Sequence, residues 1–331
     1  MSASAVASIG AGILAMEPKS ALTAIAIAST LVNNEHSFVT SNDTTHERHR
    51  RILLRAFTDG AIIRLGPTIK TYIDMLTGRL GDHSDAKAPA NMQELLLFVT
   101  IDTAADLIFG EPFNMTRDGK YNGSVAGVLN LTHIGQVYLI QLILQKHQQA
   151  TDVRVQRRLD GELQREDVIK YALEGKENLN TPELFLNASH LWLAASETST
   201  TSLAAMTFFL LQHPHAYQRL VDEVRAAYAT EADLADPSKL PTLKWVDACI
   251  KEAQRLHSPL PTPLPRHTPR DGAEICGRFM PEGSCVVLDD RDHVFDNDKR
   301  EVFQPFLLGP KSCTGKPMAL LQMRWIAGNI F

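Results

Sequence analysis

The sequence predicts a mainly α protein with a small β region, on three observations. Residues 181–213 read as one helix of roughly 32 residues, about 48 Å at 1.5 Å each, opened by Pro182 and closed before Pro214. Shorter segments, among them 95–109, 243–257 and 316–330, repeat apolar residues at helical spacing. Residues 275–287 read as a strand pair around the turn Pro281-Glu282-Gly283.

Composition sets outer limits. The 331 residues are 44% hydrophobic and 21% charged, enough to bury a real core in one large domain or two. A net charge of −5 speaks against a general nucleic-acid binder. Cys249, Cys276, Cys285 and Cys313 include no Cys-x-x-Cys pair. That fits neither a disulfide scaffold nor a zinc site and favours a reducing compartment. The sequons at Asn114 and Asn187 matter only in a secreted protein.

The chain opens with two apolar pieces, 5–16 and 21–32, split by Glu17-Pro18-Lys19. Each is shorter than the roughly twenty residues that span a bilayer, and neither has the basic flank of a signal peptide. They suit a weak membrane-surface contact or helices of a soluble core, and no transmembrane anchor is evident. Asn42 and the residues after it are good caps for the next helix. On that helix His46 and Arg50 lie one turn apart and share a face. Such a face can present two donors to an anionic carboxylate, but the bare sequence favours a solvated basic helix or a phosphate or partner contact.

Residues 95–109 form a helix that Gly110 and Pro112 close. Residues 129–144 read as a helix over a pocket, and 156–171 as a charged surface helix. In the long helix, Thr181 is the expected N-cap with Pro182 at N1 and Glu183 favouring the dipole. At its middle, Ala194 to Thr200 place hydroxyls and Glu197 inside an apolar run. Hydroxyls bonded back to the helix can bend it, and an acid beside a threonine can relay protons; a polar helix–helix contact uses the same residues. Residues 216–228 and 243–257 are amphipathic helices, and in the second Glu252 and Arg255 are placed to pair at i, i+3. The proline-rich 258–266 is extended and brings Arg266 forward. A charged passage, 289–301, then leads to the cysteine loop.

In that loop Phe306, Gly309, Cys313 and Gly315 stand at the spacing Phe-x-x-Gly-x-x-x-Cys-x-Gly, ahead of a helix with the apolar stripe Met318, Leu321, Trp325, Ile326. Free N–H groups at a helix start favour a thiolate. By itself the loop fits a buried structural cysteine or an axial ligand. The spacing resembles the haem-binding loop of the cytochrome P450 family. Four further signals resemble the family in order: His46 with Arg50, Glu197-Thr198, Glu252 with Arg255, and Arg266. The phrasing is similar to the filamentous-fungal branch.

The resemblance implies a helical fold with a long central helix over haem, covering residues 41–331 with internal deletions, and an unmatched segment 1–40. It implies haem b with Cys313 on the iron, Phe306 and Gly315 in the haem loop, and His46, Arg50, Arg266 and Lys311 on the propionates. It further implies that Thr198 and Glu197 deliver protons and that Glu252 with Arg255 forms a buried structural lock. The implied partners are an apolar small molecule, O2 and an NADPH-dependent flavoprotein reductase, at the cytoplasmic side of the endoplasmic reticulum membrane. Lys311 stands where Arg is usual and Ala195 where Gly is common. The lock's third member belongs in 289–301, where the family's Pro-Glu-Arg phrase is not found and Arg291 and Arg300 are the candidates. The N-terminal sheet and anchor, part of the channel cover and this meander are unmatched. Two alternatives therefore stand beside a monooxygenase: a truncated remnant acting as a binding or interaction protein, and a haem-thiolate isomerase or dehydratase, against which Thr198 argues.

Overall fold

The computed structural model describes residues 37–39, 41–129, 137–161, 165–260, 266–275, 277–286 and 303–331. The apolar pieces at 5–16 and 21–32, the charged passage 289–301 and the side chain of Arg266 lie outside the described residues.

Helix α1, Asp43–Leu53, starts at Asn42, whose side chain accepts the Thr45 N–H, and tightens into a 3-10 turn over Leu54–Phe57. Helix α2, Asp59–Asp85, has no counterpart in the sequence expectations. Four glycines and Pro67 weaken its local signal, and burial of Leu65, Ile69, Ile73 and Leu76 supplies what propensity lacks. Helix α3, Met92–Phe109, begins three residues earlier than the apolar pattern, because Asn91 caps it at the Glu94 N–H. It ends at Gly110 with φ of 75°, where a Cβ would be strained and would meet the Asp167 carboxylate at 3.1 Å.

Two short helices follow, α4 at Met115–Asp118 and α5 at Gly123–Leu129, then α6 at Val137–Leu159 and α7 at Val168–Leu173. Of the helix expected at 129–144, residues 137–144 lie in α6 and 130–136 fall outside the described residues, and the one expected at 156–171 is divided between α6 and α7. The second is cut because Asp167 adopts an extended conformation and caps α7 through the Lys170 N–H at 2.7 Å.

Helix α8, Thr181–Gln212, has the expected 32 residues, but its cap is Asn180 rather than Thr181. The Asn180 side chain accepts the Glu183 N–H at 2.9 Å, and the Glu183 carboxylate accepts the Asn180 N–H at 3.0 Å. This reciprocal pair satisfies two otherwise open donors. Helix α9, Pro214–Ala227, 3-10 turns at Glu231–Ala235 and Pro237–Thr242, and helix α10, Lys244–Leu256, come next.

The described strands are short: β1 Arg266–His267, β2 Ala273–Ile275, β3 Arg278–Met280 and β4 Cys285–Val286. β2 pairs antiparallel with β3, and β1 with β4. The hairpin therefore turns at Gly277, with φ of 73°, and not at Pro281-Glu282-Gly283. The latter turn lies between β3 and β4 and only returns the chain toward β1. After a 3-10 turn at Gly309–Lys311, helix α11, Lys316–Ile330, completes the chain.

Helix α8 is the axis of the molecule and packs most extensively on α3, then on α10. On one side, α2, α9, α10 and α11 share a core that includes Leu65, Leu203, Ile250 and Ile326. On the other, α1, α6 and α7 close over Phe109, Phe113 and Trp192. The Trp192 indole N–H donates to the Ile101 carbonyl of α3 at 3.4 Å, so this large side chain buries no orphan donor.

Candidate active site around Cys313

The cysteine loop is held by its own backbone. The Cys313 N–H donates to the Phe306 carbonyl at 2.8 Å, Ser312 to Gly309 at 3.0 Å, and Leu307 to Gln304 at 2.9 Å. Gly309 has φ of 73° and Leu307 φ of 59°, a strained value for a residue with a branched side chain. The outcome is a compact turn that stops at the start of α11. There the backbone N–H groups of Gly315 and Lys316 bond to the Cys313 sulfur.

Cys313 is exposed, yet burial pushes its thiol pKa up, more strongly than those N–H groups and the charges of Arg50 and Lys316 pull it down. Cβ placement at Gly315 would put an atom 3.9 Å from the sulfur, so glycine leaves that side open. Phe306 is half-buried against the α2–α11 core, with the Lys316 ammonium 5.9 Å from its ring centre.

Helix α1 grips the loop from one side. Arg50 donates to the Ser312 carbonyl at 2.5 Å, the Thr314 hydroxyl at 2.8 Å and the Ser312 hydroxyl at 3.0 Å. His46, buried, sets its ring nitrogens against the Phe38 carbonyl at 2.5 Å and the Pro310 carbonyl at 3.4 Å. Lys311 pairs with Asp43 at 2.9 Å, and this bond and charge hold the exposed Asp43 carboxyl below its ordinary pKa. His46, Arg50, Lys311 and Cys313, distant in sequence, are thus brought together. Ser312, Thr314 and Asp43 belong to the same assembly and were not singled out from sequence; the hydroxyls flanking Cys313 were the available signal.

The middle of α8 carries Glu197 and Thr198. Between buried Leu193 and buried Ser199, Ala194, Glu197 and Thr198 are half-buried and Ala195 is exposed, so the helix turns an accessible face outward midway along its length. The Thr198 hydroxyl donates to the Ala194 carbonyl at 2.8 Å, and Ser196, Thr200 and Ser202 bond back to the helix in the same manner. Despite these bonds the helix is continuous from Thr181 to Gln212. Burial raises the Glu197 carboxyl above its ordinary pKa. Helix α11, which starts three residues after Cys313, packs against α8.

Glu252 and Arg255 do pair, through bonds of 2.9 and 2.7 Å, but the expected burial is not found: more than half of each side chain is exposed. An i, i+3 pair forms from helix geometry alone, and this one sits on the outer face of α10, opposite buried Val246, Ile250 and Ala253. As an exposed pair it contributes well under about 1 kcal/mol. Arg266 begins β1, opposite Val286.

A mainly helical fold that offers one reachable, N–H-cradled cysteine, ahead of a helix packed on the longest helix, has the build of a haem-thiolate protein. The reachable sulfur, the two N–H groups that temper its charge and the open side at Gly315 fit such a ligand. The cytochrome P450 family model matches residues 16–289, so the Cys313 loop is assigned on its own spacing and geometry. The chain is similar to cytochrome P450 monooxygenase atr2 of Stereocaulon alpinum, at 32% identity covering 90% of this chain and 68% of that protein. It is similar to cytochrome P450 monooxygenase astJ of Aspergillus oryzae at 31%, covering 88% and 68%, and to trichothecene C-4 hydroxylase of Trichoderma arundinaceum at 30%, covering 88% and 69%. The chain belongs to the cytochrome P450 family, and it is an oxidoreductase of the monooxygenase kind. Membership implies haem with cysteine-thiolate ligation, O2 and a small-molecule substrate. Among the described residues no helix is long and apolar enough to cross a membrane.

Proposed function

We propose that this protein inserts one oxygen atom from O2 into an apolar small molecule of fungal secondary metabolism. Its electrons come from an NADPH-dependent flavoprotein reductase at the cytoplasmic face of the endoplasmic reticulum membrane. The observation that supports this best is the reachable Cys313 sulfur with two backbone N–H groups bonded to it. Haem bound through a thiolate supplies the activation of dioxygen, because the sulfur's electron density favours O–O cleavage.

The chain's own residues then do the following. Cys313 would hold the iron, and the Gly315 and Lys316 N–H groups would spread part of the thiolate charge. Glu197, with its raised carboxyl pKa, holds a proton near neutrality better than an exposed glutamate does. Thr198 passes that proton inward by turning its hydroxyl away from the Ala194 carbonyl. Arg50 spends three of its five N–H groups on the loop and has two left for a propionate. Lys311, held by Asp43, adds charge without a bidentate fork, and Arg266 completes the cationic set. His46, with both nitrogens on carbonyls, contributes chiefly by holding the loop.

The test is the absorption spectrum of the reduced, CO-treated protein beside Cys313→Ala. A red-shifted Soret band that requires Cys313 is expected. A CO complex indifferent to Cys313, or no haem at all, would remove this reading.

A further inference from the structure

We infer that His49 and Asn187 form a positioning pair, effective in one histidine tautomer only, that holds α1, and with it the Arg50 grip on the Cys313 loop, against the first turns of α8. The histidine is fully buried between the two helices. Its Nδ1 lies 3.3 Å from the Asn187 amide nitrogen, and its Nε2 lies 3.1 Å from a Glu183 carboxylate oxygen.

The asparagine decides which nitrogen carries the proton. Its Oδ1 accepts the Phe38 N–H at 2.8 Å, and its Nδ2 donates to the Glu183 carbonyl at 2.7 Å. A backbone N–H can only donate and a backbone carbonyl can only accept, so the amide has one orientation. Nδ2 therefore offers its second hydrogen to His49, and Nδ1 must accept it. The ring proton is left on Nε2, aimed at Glu183. The Arg48 guanidinium donates to the same Glu183 oxygen and lies 2.9 Å from Nε2, so a proton on Nε2 has the Glu183 acceptor beside a competing donor, whereas a proton on Nδ1 faces a donor and no acceptor.

A proton added at Nδ1 would face the Asn187 N–H donor to donor, in a buried site that already holds Arg48 and lies near His46. Glu183 is the only acid among the groups acting on the ring, and burial outweighs it, lowering the His49 pKa below its ordinary 6.5. The pair also connects to the site. Phe38, whose N–H bonds to Asn187, gives its carbonyl to His46, and His46 reaches Pro310 in the cysteine loop. Arg50 is the next residue after His49. Protonation of His49 thus loosens the point from which both residues reach the loop.

Four measurements test this. In the histidine-15N-labelled protein, with His49→Gln used for assignment, His49 is expected as the Nε2–H tautomer at pH 7.5; an Nδ1–H tautomer or an imidazolium at that pH would overturn the inference. The melting temperature is expected to fall on acidification from pH 7.5 to 5.5, and His49→Leu to remove part of that fall; an identical fall in His49→Leu would count against it. Haem transfer to excess apomyoglobin is expected to be roughly ten-fold faster in His49→Leu at pH 7.5, the effect of one net buried hydrogen bond. An unchanged rate would remove the positioning role. Asn187→Asp, which presents acceptors only, is expected to stabilise the charged ring and shift its titration upward; no shift would overturn the tautomer argument even if His49→Leu does not fold. The haem arm rests on the function proposed above, whereas the tautomer and melting arms read the protein without haem and separate the two failures.

Discussion

Arg50 is the residue whose removal says most about how the thiolate site is built. Its guanidinium makes three bonds to Ser312 and Thr314, and its charge lowers the Cys313 pKa. Charge-assisted bonds contribute about 1.5–3 kcal/mol each when alone, but bonds from one half-buried group to one loop do not add fully. Arg50→Leu is therefore expected to cost about 2–4 kcal/mol, a fall of roughly 3–6 °C in melting temperature for a chain of this length. It is also expected to move the pH midpoint of Cys313 alkylation upward, read by peptide mass spectrometry on haem-free protein. Arg50→Lys keeps the charge but not the fork, so the alkylation midpoint should stay near that of the unaltered protein while part of the melting loss remains. If Arg50→Leu melts within about 1 °C of the unaltered protein and its Cys313 midpoint does not move, the grip contributes nothing and the reasoning fails.

Other expectations follow from single contacts. Gly315→Val, at φ of −81° with room for a Cβ, should melt normally without haem but bind haem more weakly, since the added methyls screen the sulfur; equilibrium haem titration decides it. Asp102 accepts the Phe113 N–H at 3.0 Å and the Thr116 N–H at 2.6 Å, so Asp102→Asn turns an amide NH2 against a buried N–H and should lose about 2–4 kcal/mol by urea denaturation. His190 is buried and its pKa is pushed down from 6.5 to about 4. The folded state takes up this proton later than the unfolded chain does. Stability is therefore full above pH 6.5 and falls by about 3 kcal/mol as pH drops to 4, a slope that His190→Leu should flatten in urea melts. Thr198→Ala should uncouple reductant use from product if the hydroxyl passes protons, and unchanged coupling would reject that role.

Much of the fold was legible because its signals are local. Asn42 caps α1 as its chemistry suggests, and α8 has the length its flanking prolines indicate. The misread elements are those where a distant or competing partner decides. Helix α2 contains Pro67 and four glycines and is stabilised by burial that no short window displays. The hairpin turns at Gly277 because a left-handed residue is needed there, and Pro281-Glu282-Gly283 offered an equally good turn nearby. The Glu252–Arg255 spacing reported a pair but could not report its exposure. At the site, the cysteine spacing was readable. That Arg50 bonds Ser312 and Thr314, and that His49 meets Asn187, depends on tertiary contact alone.

The bonds from α1 to the cysteine loop join residues 262 to 264 positions apart. Closing a loop that long costs about 5 kcal/mol of chain entropy beyond a constant. Contacts of such separation form late and slow folding. During synthesis α1 is made before its partners: Arg48 and Arg51 wait for Glu183 and Glu177, and Arg50 waits for Ser312 and Thr314. The thiolate pocket therefore forms only when two segments made far apart in synthesis have met, and haem loading waits on that long-range step rather than on any local element.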